Sequence, residues 1–175
     1  MLPEVIYYVA SSLDGYIATP DGGVKWLSPF EGGGEDYSYA KFNASVDSVL
    51  LGRTTFEQSL TFGEWPYSGK PCWVFSKQRL DVTEPGVTVT KESPRKVVRE
   101  LEARGLRRAW LVGGGALAGS FRAEGLITEY IVSVNPIVLG AGIRLFGADG
   151  SPERLTLLES KPYPSGIVQL RYGRA

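Results

Sequence analysis

The chain has 175 residues, 43% of them hydrophobic, and its 19 basic side chains balance its 19 acidic ones. This length predicts one domain over residues 1–175, and the charge balance argues against attraction to nucleic acid or to an anionic membrane. Because histidine is absent and Cys72 is the one cysteine, Ser-His-Asp and Cys-His catalysis and sites of imidazole or paired thiolates are excluded. We expect no metal, so the chemistry must rest on carboxylates, hydroxyls, basic side chains or an organic cofactor.

The location of the protein is predicted from what the sequence does not carry. The first ten residues contain no basic segment followed by a long apolar one, and no apolar run approaches the roughly 20 residues that span a bilayer. A single cysteine cannot form an intrachain disulfide, which fits a reducing compartment. We therefore expect a cytoplasmic protein without a membrane partner.

Predicted elements alternate between strands and helices up to residue 123. Apolar and β-branched runs predict buried strands, and apolar residues at helical spacing predict helices. Such alternation is typical of parallel βαβ units with helices on both faces of a sheet. In chain order the elements are a strand at 5–10, a helix at 35–45, a strand at 48–51, a helix at 54–60, strands at 72–75 and 87–89, a helix opening at Pro94 after its N-cap Ser93, a strand at 109–112 and a helix at 116–123.

Beyond residue 123 the pattern changes. Strands are predicted at 128–134, 154–159 and 166–172, with no helix between them. Strands joined without helices favour antiparallel pairing. The expected fold class is therefore α/β, with a mixed, mostly parallel central sheet and an antiparallel C-terminal hairpin.

Three consecutive glycines, Gly113, Gly114 and Gly115, follow a predicted strand and precede a helix. Glycine lets the backbone approach a ligand closely, and a helix N-terminus offers free N–H groups and a positive dipole end. This arrangement predicts a pyrophosphate site, although a tight turn without a ligand explains the glycines equally well. The spacing is not G-x-G-x-x-G, which would follow the first strand of its unit.

Two other predicted strands also end in groups that can bind an anion. Gly52 and Arg53 follow the strand at 48–51, and Ser76 and Lys77 come directly after the strand at 72–75. Alone, each is better explained as a capped helix or a polar strand end. Because the carboxyl ends of parallel strands meet at one edge of a sheet, the three together predict one long anionic ligand across that edge.

Four segments, in this order, resemble the RibD C-terminal domain family of the dihydrofolate-reductase-like superfamily. They are SLDGYIA at 12–18, LGRTTFE at 51–57, GGG at 113–115 and NPIVLGAG at 135–142. This family comprises the reductase half of bifunctional riboflavin-biosynthesis enzymes and its stand-alone relatives. The resemblance implies a dihydrofolate-reductase-like fold and an activity like that of 5-amino-6-(5-phosphoribosylamino)uracil reductase.

The resemblance also implies NADPH as the hydride donor. Arg53 and Thr54 would contact the 2′-phosphate side or the pyrophosphate, and Ser76 and Lys77 would flank the ribose that carries the 2′-phosphate. The glycine turn would cradle the pyrophosphate, and the loop at 13–26 would cover the nicotinamide. The implied cofactor-binding residues are Ile17, Gly52, Arg53, Thr54, Ser76, Lys77, Gly113, Gly114, Gly115, Ala116 and Leu117.

Asp14, Asp36 and Glu57 are candidates for delivering the proton that accompanies hydride transfer. Asp36 lies 16 residues before Gly52, as the pterin-binding carboxylate of dihydrofolate reductases does, but it also fits an acid that stabilises a helix N-terminus. Asp14 is also explained as a turn residue and Glu57 as a partner-bonded helix acid. Trp26 either lines the substrate pocket or fills the core.

Two departures from the family leave the substrate open. The chain lacks the His and Cys set of a zinc deaminase, so we do not expect the bifunctional enzyme, and the loop at 21–35 is not diagnostic of the riboflavin-pathway reductase. We expect an NADPH-dependent reductase of a small heterocyclic substrate. The alternatives are a dihydrofolate reductase, from whose pattern Ala118 departs because an aromatic side chain is usual there, and a non-catalytic nucleotide-binding dimer.

The strand character of residues 128–138 predicts an exposed sheet edge. Unpaired strand edges tend to pair with another chain. We therefore predict a homodimer.

Overall fold

An eight-stranded sheet forms the centre of the molecule, which a computed structural model describes for residues 1–147 and 150–175. Across the sheet, its strands lie in the order β5 (Val87–Thr90), β4 (Cys72–Phe75), β3 (Ser48–Gly52), β6 (Arg108–Gly113), β1 (Glu4–Ser12), β7 (Glu129–Asn135), β10 (Val168–Arg174) and β9 (Leu155–Pro162). The neighbours from β5 to β7 run parallel, whereas β10 is antiparallel to both β7 and β9. This confirms the predicted mixed, mostly parallel sheet with an antiparallel hairpin. A separate antiparallel pair comprises β2 (Tyr16–Ala18) and β8 (Ile143–Arg144).

Among the residues that the structure describes, four α-helices connect these strands: α1 (Tyr39–Ser45), α2 (Arg53–Ser59), α3 (Pro94–Ala103) and α4 (Gly115–Ala123). Residues 1–147 and 150–175 also contain two 3₁₀ helices, Lys25–Phe30 between β2 and α1 and Leu60–Phe62 between α2 and β4. No helix in the described part of the chain is long and apolar enough to cross a membrane.

The sheet carries one apolar core on each face, because successive strand residues point to opposite sides. Tyr7, on β1, and Leu111, on β6, pack with the buried residues of α3 and α4. Ile6 and Trp110, each one position earlier, pack with the buried aromatic side chains of α1 and α2. Helices therefore cover both faces, as the alternating pattern predicted.

Helix α1 begins four residues later than predicted. The Asp36 carboxylate accepts the N–H groups of Ser38 at 2.9 Å and Ala40 at 3.1 Å, and Tyr37 and Ser38 have φ values of 53° and 62°. An aspartate that bonds the backbone two residues ahead offers the chain an alternative to the helix. Residues 35–38 therefore form a turn, and the helix starts at Tyr39.

The prediction that residues 128–138 form a sheet edge is wrong. Strand β7 lies between β1, to which it is parallel, and β10, and six of its seven residues are buried. Helix α4 is the crossover into this strand, so the antiparallel part of the sheet begins only with β9 and β10. The free edges are β5 and β9.

Candidate cofactor and substrate cleft

A cleft of about 910 Å³ runs along the carboxyl ends of β5, β4, β3, β6 and β1. The ends of β3 to β6, with the first turns of α2 and α4, line one part, called the basic half. Residues of β1, β2 and β8, the loop at 22–31, the end of α2 and three aromatic side chains line the other part, called the aromatic half. Ligands of α/β sheets bind at this edge because the loops that leave the strands there surround a crevice.

The glycine turn joins β6 to α4. The peptide bond between Gly113 and Gly114 is cis, and Gly113 has a φ of 132°, which favours glycine. A Cβ at Gly115 would overlap the carbonyl oxygen of Arg144, so the close approach of β8 also requires glycine there. Gly114 is the N-cap, and no side chain of the described residues caps the helix. The first N–H groups of the nine-residue α4 are thus left for a ligand at the cleft.

Three cations line the basic half. Arg53, at the start of α2, donates to the Glu57 carboxylate at 3.2 Å, but both side chains are exposed, and such a pair contributes little stability. The guanidinium can therefore exchange Glu57 for a ligand anion. Lys77 and Lys91 follow β4 and β5, and no carboxylate of the described residues pairs with either.

The hydroxyl group of Ser76 is already engaged. It donates to the carbonyl of Gln78 at 2.9 Å and accepts the Gln78 N–H at 3.1 Å. This turn holds the end of β4 at the cleft, so Ser76 positions Lys77 next to it. All of the predicted cofactor-binding residues line the cleft except Gly113, and Ile17 among them lies in the aromatic half.

Packed rings form the wall of the aromatic half. Trp110 donates its indole N–H to the carbonyl of Tyr8 at 3.2 Å, and its ring meets Tyr67 edge-on at a centroid distance of 5.4 Å. Tyr8 stacks on Phe42 at 4.3 Å. Phe62 lies at the rim with 61% of its surface exposed. Such a surface suits a flat ring, because aromatic pairs stack or meet edge-on.

Most polar groups of the aromatic half donate hydrogen bonds to backbone carbonyls of the protein. The Gln58 amide donates to the carbonyl of Gly22 at 3.0 Å, which leaves its oxygen to accept. The Ser59 hydroxyl donates to the carbonyl of Thr55 at 2.8 Å. The Glu31 carboxylate, after the 3₁₀ helix at Lys25–Phe30, also lines this half.

Burial raises the pKa values of two hydroxyl groups in this wall. The pKa of Tyr8 rises to about 12 and that of Tyr67 to about 12, in each case chiefly through desolvation. The Tyr8 hydroxyl donates to the carbonyl of Tyr37 at 3.3 Å. Both side chains therefore stay neutral at physiological pH and add no charge to the cleft.

Tyr37 ties the loop beside the aromatic half to the C-terminal hairpin. Its hydroxyl group is 2.9 Å from the carbonyl of Phe30 and 3.0 Å from Oγ of Ser165, which lies in the turn between β9 and β10. Its ring meets Tyr163 edge-on at 4.8 Å. The segment from Phe30 to Tyr37 is thus fixed to the C-terminal hairpin.

None of the three predicted proton donors lines the cleft. The Asp14 carboxylate accepts the Ser12 hydroxyl at 2.6 Å and the N–H groups of Leu139 and Gly140 at 3.1 and 2.8 Å. The Ser12 hydrogen bond, followed by those from the backbone, lowers the pKa of Asp14. Asp36 holds the turn before α1, and Glu57 pairs with Arg53. The alternative interpretations of Asp14 and Glu57 describe these contacts, whereas Asp36 lies in a turn before α1 and not in the first turn of a helix.

Trp26 is 9% exposed and lies outside the cleft lining. Its indole nitrogen is buried without a hydrogen-bond partner among the described residues. Of the two interpretations of Trp26, the structure therefore favours a core residue.

Sequence reasoning missed Lys91, Glu31, Gln58 and Trp110. Lys91 directly follows a strand, so the rule that singled out Lys77 would have found it. Glu31 and Gln58 come to the cleft from a loop and from the last turn of a helix, and no short spacing in the sequence marks them. Among residues 1–147 and 150–175, no group of three or more carboxylate or thiol side chains is arranged to hold a metal ion.

Comparison with known proteins identifies the family. Residues 3–169 match the profile of the RibD C-terminal domain. The chain is 38% identical over 173 residues to the uncharacterized protein YwjB of Bacillus subtilis (strain 168), covering 98% of each. It also resembles the crystal structure of a Shewanella sp. PV-4 protein assigned provisionally to riboflavin biosynthesis, at 31% identity and a TM-score of 0.89, with 100% of this chain and 99% of that one covered.

A more distant structure shows the fold alone. A diaminohydroxyphosphoribosylaminopyrimidine deaminase/5-amino-6-(5-phosphoribosylamino)uracil reductase of Thermotoga maritima aligns at 16% identity with a TM-score of 0.76, over 99% of this chain and 57% of that one. The fold is thus of the RibD and pyrimidine-reductase type. The chain belongs to the RibD C-terminal domain family.

Proposed function

We propose that the protein is an NADPH-dependent reductase of a small heterocyclic substrate, related to the 5-amino-6-(5-phosphoribosylamino)uracil reductase named for the Thermotoga protein. One observation carries this proposal. A single cleft joins a half with three cations and an uncapped helix N-terminus to a half walled by aromatic rings. The charge of the basic half suits the phosphate groups of a dinucleotide, and the rings of the aromatic half suit a flat ring.

The residues of the basic half fit the charges of NADPH. The N–H groups of Gly115, Ala116 and Leu117 would hold the pyrophosphate, since no side chain within residues 1–147 and 150–175 caps them. Arg53, Lys77 and Lys91 would hold the 2′-phosphate. When bound, NADPH supplies the hydride.

The aromatic half supplies positioning. Trp110, Tyr8 and Tyr67 form a wall that excludes water from one side of a flat substrate, and Gln58 offers an acceptor that orients it. The three carboxylates predicted to deliver the proton lie outside this cleft, and Glu31, which lines the aromatic half, is exposed to solvent. We therefore propose that solvent at the open mouth provides the proton.

Calorimetric titration with NADPH and NADH tests the cofactor. We expect NADPH to bind more tightly, and Arg53→Ala and Lys91→Ala each to weaken NADPH by about tenfold while changing NADH far less, because NADH lacks the 2′-phosphate. Lys41→Ala, which removes a charge from the exposed face of α1, is the matched control. Absence of NADPH binding would overturn the proposal. An equal loss for both dinucleotides would remove the 2′-phosphate role.

Turnover separates the proposal from its alternatives. Loss of absorbance at 340 nm with an amino-ribosylaminouracil supports a pyrimidine reductase. Methotrexate-sensitive oxidation with dihydrofolate would instead identify a dihydrofolate reductase. NADPH binding without oxidation by either compound would favour a non-catalytic nucleotide-binding protein.

The cytoplasm is part of the same proposal. The one thiol, Cys72, is buried and free, and burial raises its pKa to about 12. A protein that holds no disulfide is compatible with a reducing compartment.

A further inference from the structure

The cations of the cleft are distributed unevenly. Arg53, Lys77 and Lys91 all lie in the basic half. Lys25 and Arg144 are next in sequence to residues of the aromatic half, but both are exposed and neither lines the cleft. Within the described residues, no positive side chain therefore lines the aromatic half.

Neutral donors do not replace the missing cations. A phosphate group is bound in proteins by basic side chains, by backbone N–H groups at a helix N-terminus or by free hydroxyl and amide donors. The uncapped N-terminus of α4 belongs to the basic half. In the aromatic half, the hydroxyl groups of Tyr8 and Ser59, the indole N–H of Trp110 and one N–H of the Gln58 amide donate to backbone carbonyls. This leaves the second N–H of Gln58 and the hydroxyl group of Tyr67, whose side chain is buried.

The charge that remains in the aromatic half is negative. The Glu31 carboxylate lines it, and no basic side chain of the described residues lies within ion-pair distance of Glu31. Glu31 is exposed, so its repulsion of a phosphate dianion acts through solvent and is weakened by salt. The free Gln58 oxygen and the carboxylate instead accept hydrogen bonds from amino groups.

From this juxtaposition we infer that the substrate is a planar, amino-substituted heterocycle without a phosphate group, and that Glu31 is the residue that discriminates against phosphorylated forms. This inference rests on the proposed function, since it assigns the substrate class of the same cleft. It departs from the substrate named for the Thermotoga protein, which carries a phosphoribosyl group.

A matched pair of compounds tests the inference by binding. The probes are 5-amino-6-ribosylaminouracil and its 5′-phosphate, titrated by calorimetry into the protein alone and into its complex with NADP⁺. We expect the dephosphorylated compound to bind at least tenfold more tightly, and the gap to narrow at high salt, because salt screens the repulsion. Equal affinities, tighter binding of the phosphate, or binding of neither compound would overturn the inference.

A substitution that removes the charge of Glu31 and nearly keeps its size tests the role of this residue. Glu31→Gln should raise affinity for the phosphorylated compound several-fold while leaving affinity for the other compound within about twofold. Glu64→Gln, which removes an exposed charge outside the cleft lining, should leave the ratio unchanged. This role would be contradicted if the ratio of the two affinities stayed unchanged in Glu31→Gln, or if it changed equally in Glu31→Gln and Glu64→Gln.

The two proposals can fail separately. If the cofactor assignment is wrong, the protein fails to bind NADPH, while the ratio of its affinities for the two uracil compounds stays as expected. If the inference about the substrate is wrong, NADPH still binds, but the dephosphorylated compound does not bind more tightly than its 5′-phosphate. Where both compounds are turned over, the ratio of their kcat/KM values should follow the ratio of their affinities.

Discussion

Asp14 shows how a carboxylate that suggests catalysis can serve the fold instead. Its two oxygens accept one hydroxyl and two backbone N–H groups, and these bonds join the turn after β1 to residues 137–142. Hydrogen bonds to the charged form stabilise that form, which lowers the pKa of Asp14 below its ordinary value. The stabilisation exists only while the carboxylate is ionised.

The pH dependence of this contribution has a definite sign. A pKa that is lower in the folded state contributes stability at pH values above the unfolded pKa, roughly 3.9, and loses it as the pH falls through the folded value. Asp14→Asn should therefore lower the melting temperature at pH 7, and the difference from the parent should shrink as the pH falls below about 4. Thermal unfolding between pH 7 and pH 3 measures this.

Asp81→Asn provides the matched control, since Asp81 is exposed and makes no side-chain hydrogen bond among the described residues. It should leave the melting temperature unchanged across the range. A destabilisation by Asp14→Asn that persists at pH 3 would refute the linkage.

At the residue scale, the sequence predicted basic residues that line the cleft, whereas none of the three predicted acids lines it. Arg53 and Lys77 follow strands directly, and the strand direction carries any such residue to the cleft. A carboxylate has no comparable rule, because Asp and Glu are equally suited to turns and ion pairs. Which of these roles each acid takes depends on contacts with residues far away in sequence.

Gly115 belongs to the element scale, because it decides how closely α4 packs on β8. A Cβ there would overlap the carbonyl oxygen of Arg144 and also crowd Gly147, both of which are backbone. Backbone cannot move aside as a flexible side chain can, and overpacking costs about 1–3 kcal/mol. Gly115→Ala should therefore lower the free energy of unfolding by about 2 kcal/mol, and the melting temperature by roughly 4–8 °C.

Gly33→Ala is the control for this substitution. An added Cβ at Gly33 meets no heavy atom within 4 Å, and its φ is not in the left-handed region. Its melting temperature should stay within about a degree of the parent's. Unchanged stability of Gly115→Ala would mean that α4 and β8 are not packed as closely as described.

Elements with strong local signals were predicted well. Helix α3 has its N-cap at Ser93, whose hydroxyl accepts the N–H of Lys96, its proline at Pro94, and a buried stripe that includes Val97 and Leu101. The short strands β2 and β8 were missed. They pair only with each other, through residues about 125 positions apart, so no local pattern marks them.

The C-terminal hairpin is the element that bears on assembly of the whole molecule. All eight residues of β9 are exposed, and they include Leu155, Leu157 and Leu158 at 37%, 54% and 53%. Since β9 is a free edge of the sheet, its outer backbone groups are unpaired. We propose that a second copy of the chain covers this strand, in place of the edge first predicted at 128–138.

Light scattering at micromolar concentration should give the mass of a dimer. Leu157→Glu should shift the protein towards the monomer, because it places a charge on the apolar edge, whereas Leu13→Glu, at an exposed position outside this strand, should not. A monomeric parent protein would disprove the proposed assembly.

At the scale of the whole molecule, the alternation of strands and helices was sufficient to predict the sheet and the edge that carries the cleft. It was not sufficient to place β7. Its sequence fits an exposed edge as well as a central strand, and only the crossover through α4 distinguishes the two. The position of a strand in a sheet depends on connections that a local pattern does not contain.

The Tyr37 anchor has a consequence for binding. Ordering a loop upon association reduces the affinity, since the loss of conformational entropy opposes binding. Because the Tyr37 hydroxyl fastens the loop at Phe30 to the hairpin turn at Ser165, much of that ordering takes place when the chain folds. The aromatic half is therefore preorganised for its ligand, and a second copy resting on β9 would stiffen the hairpin that holds this loop in place.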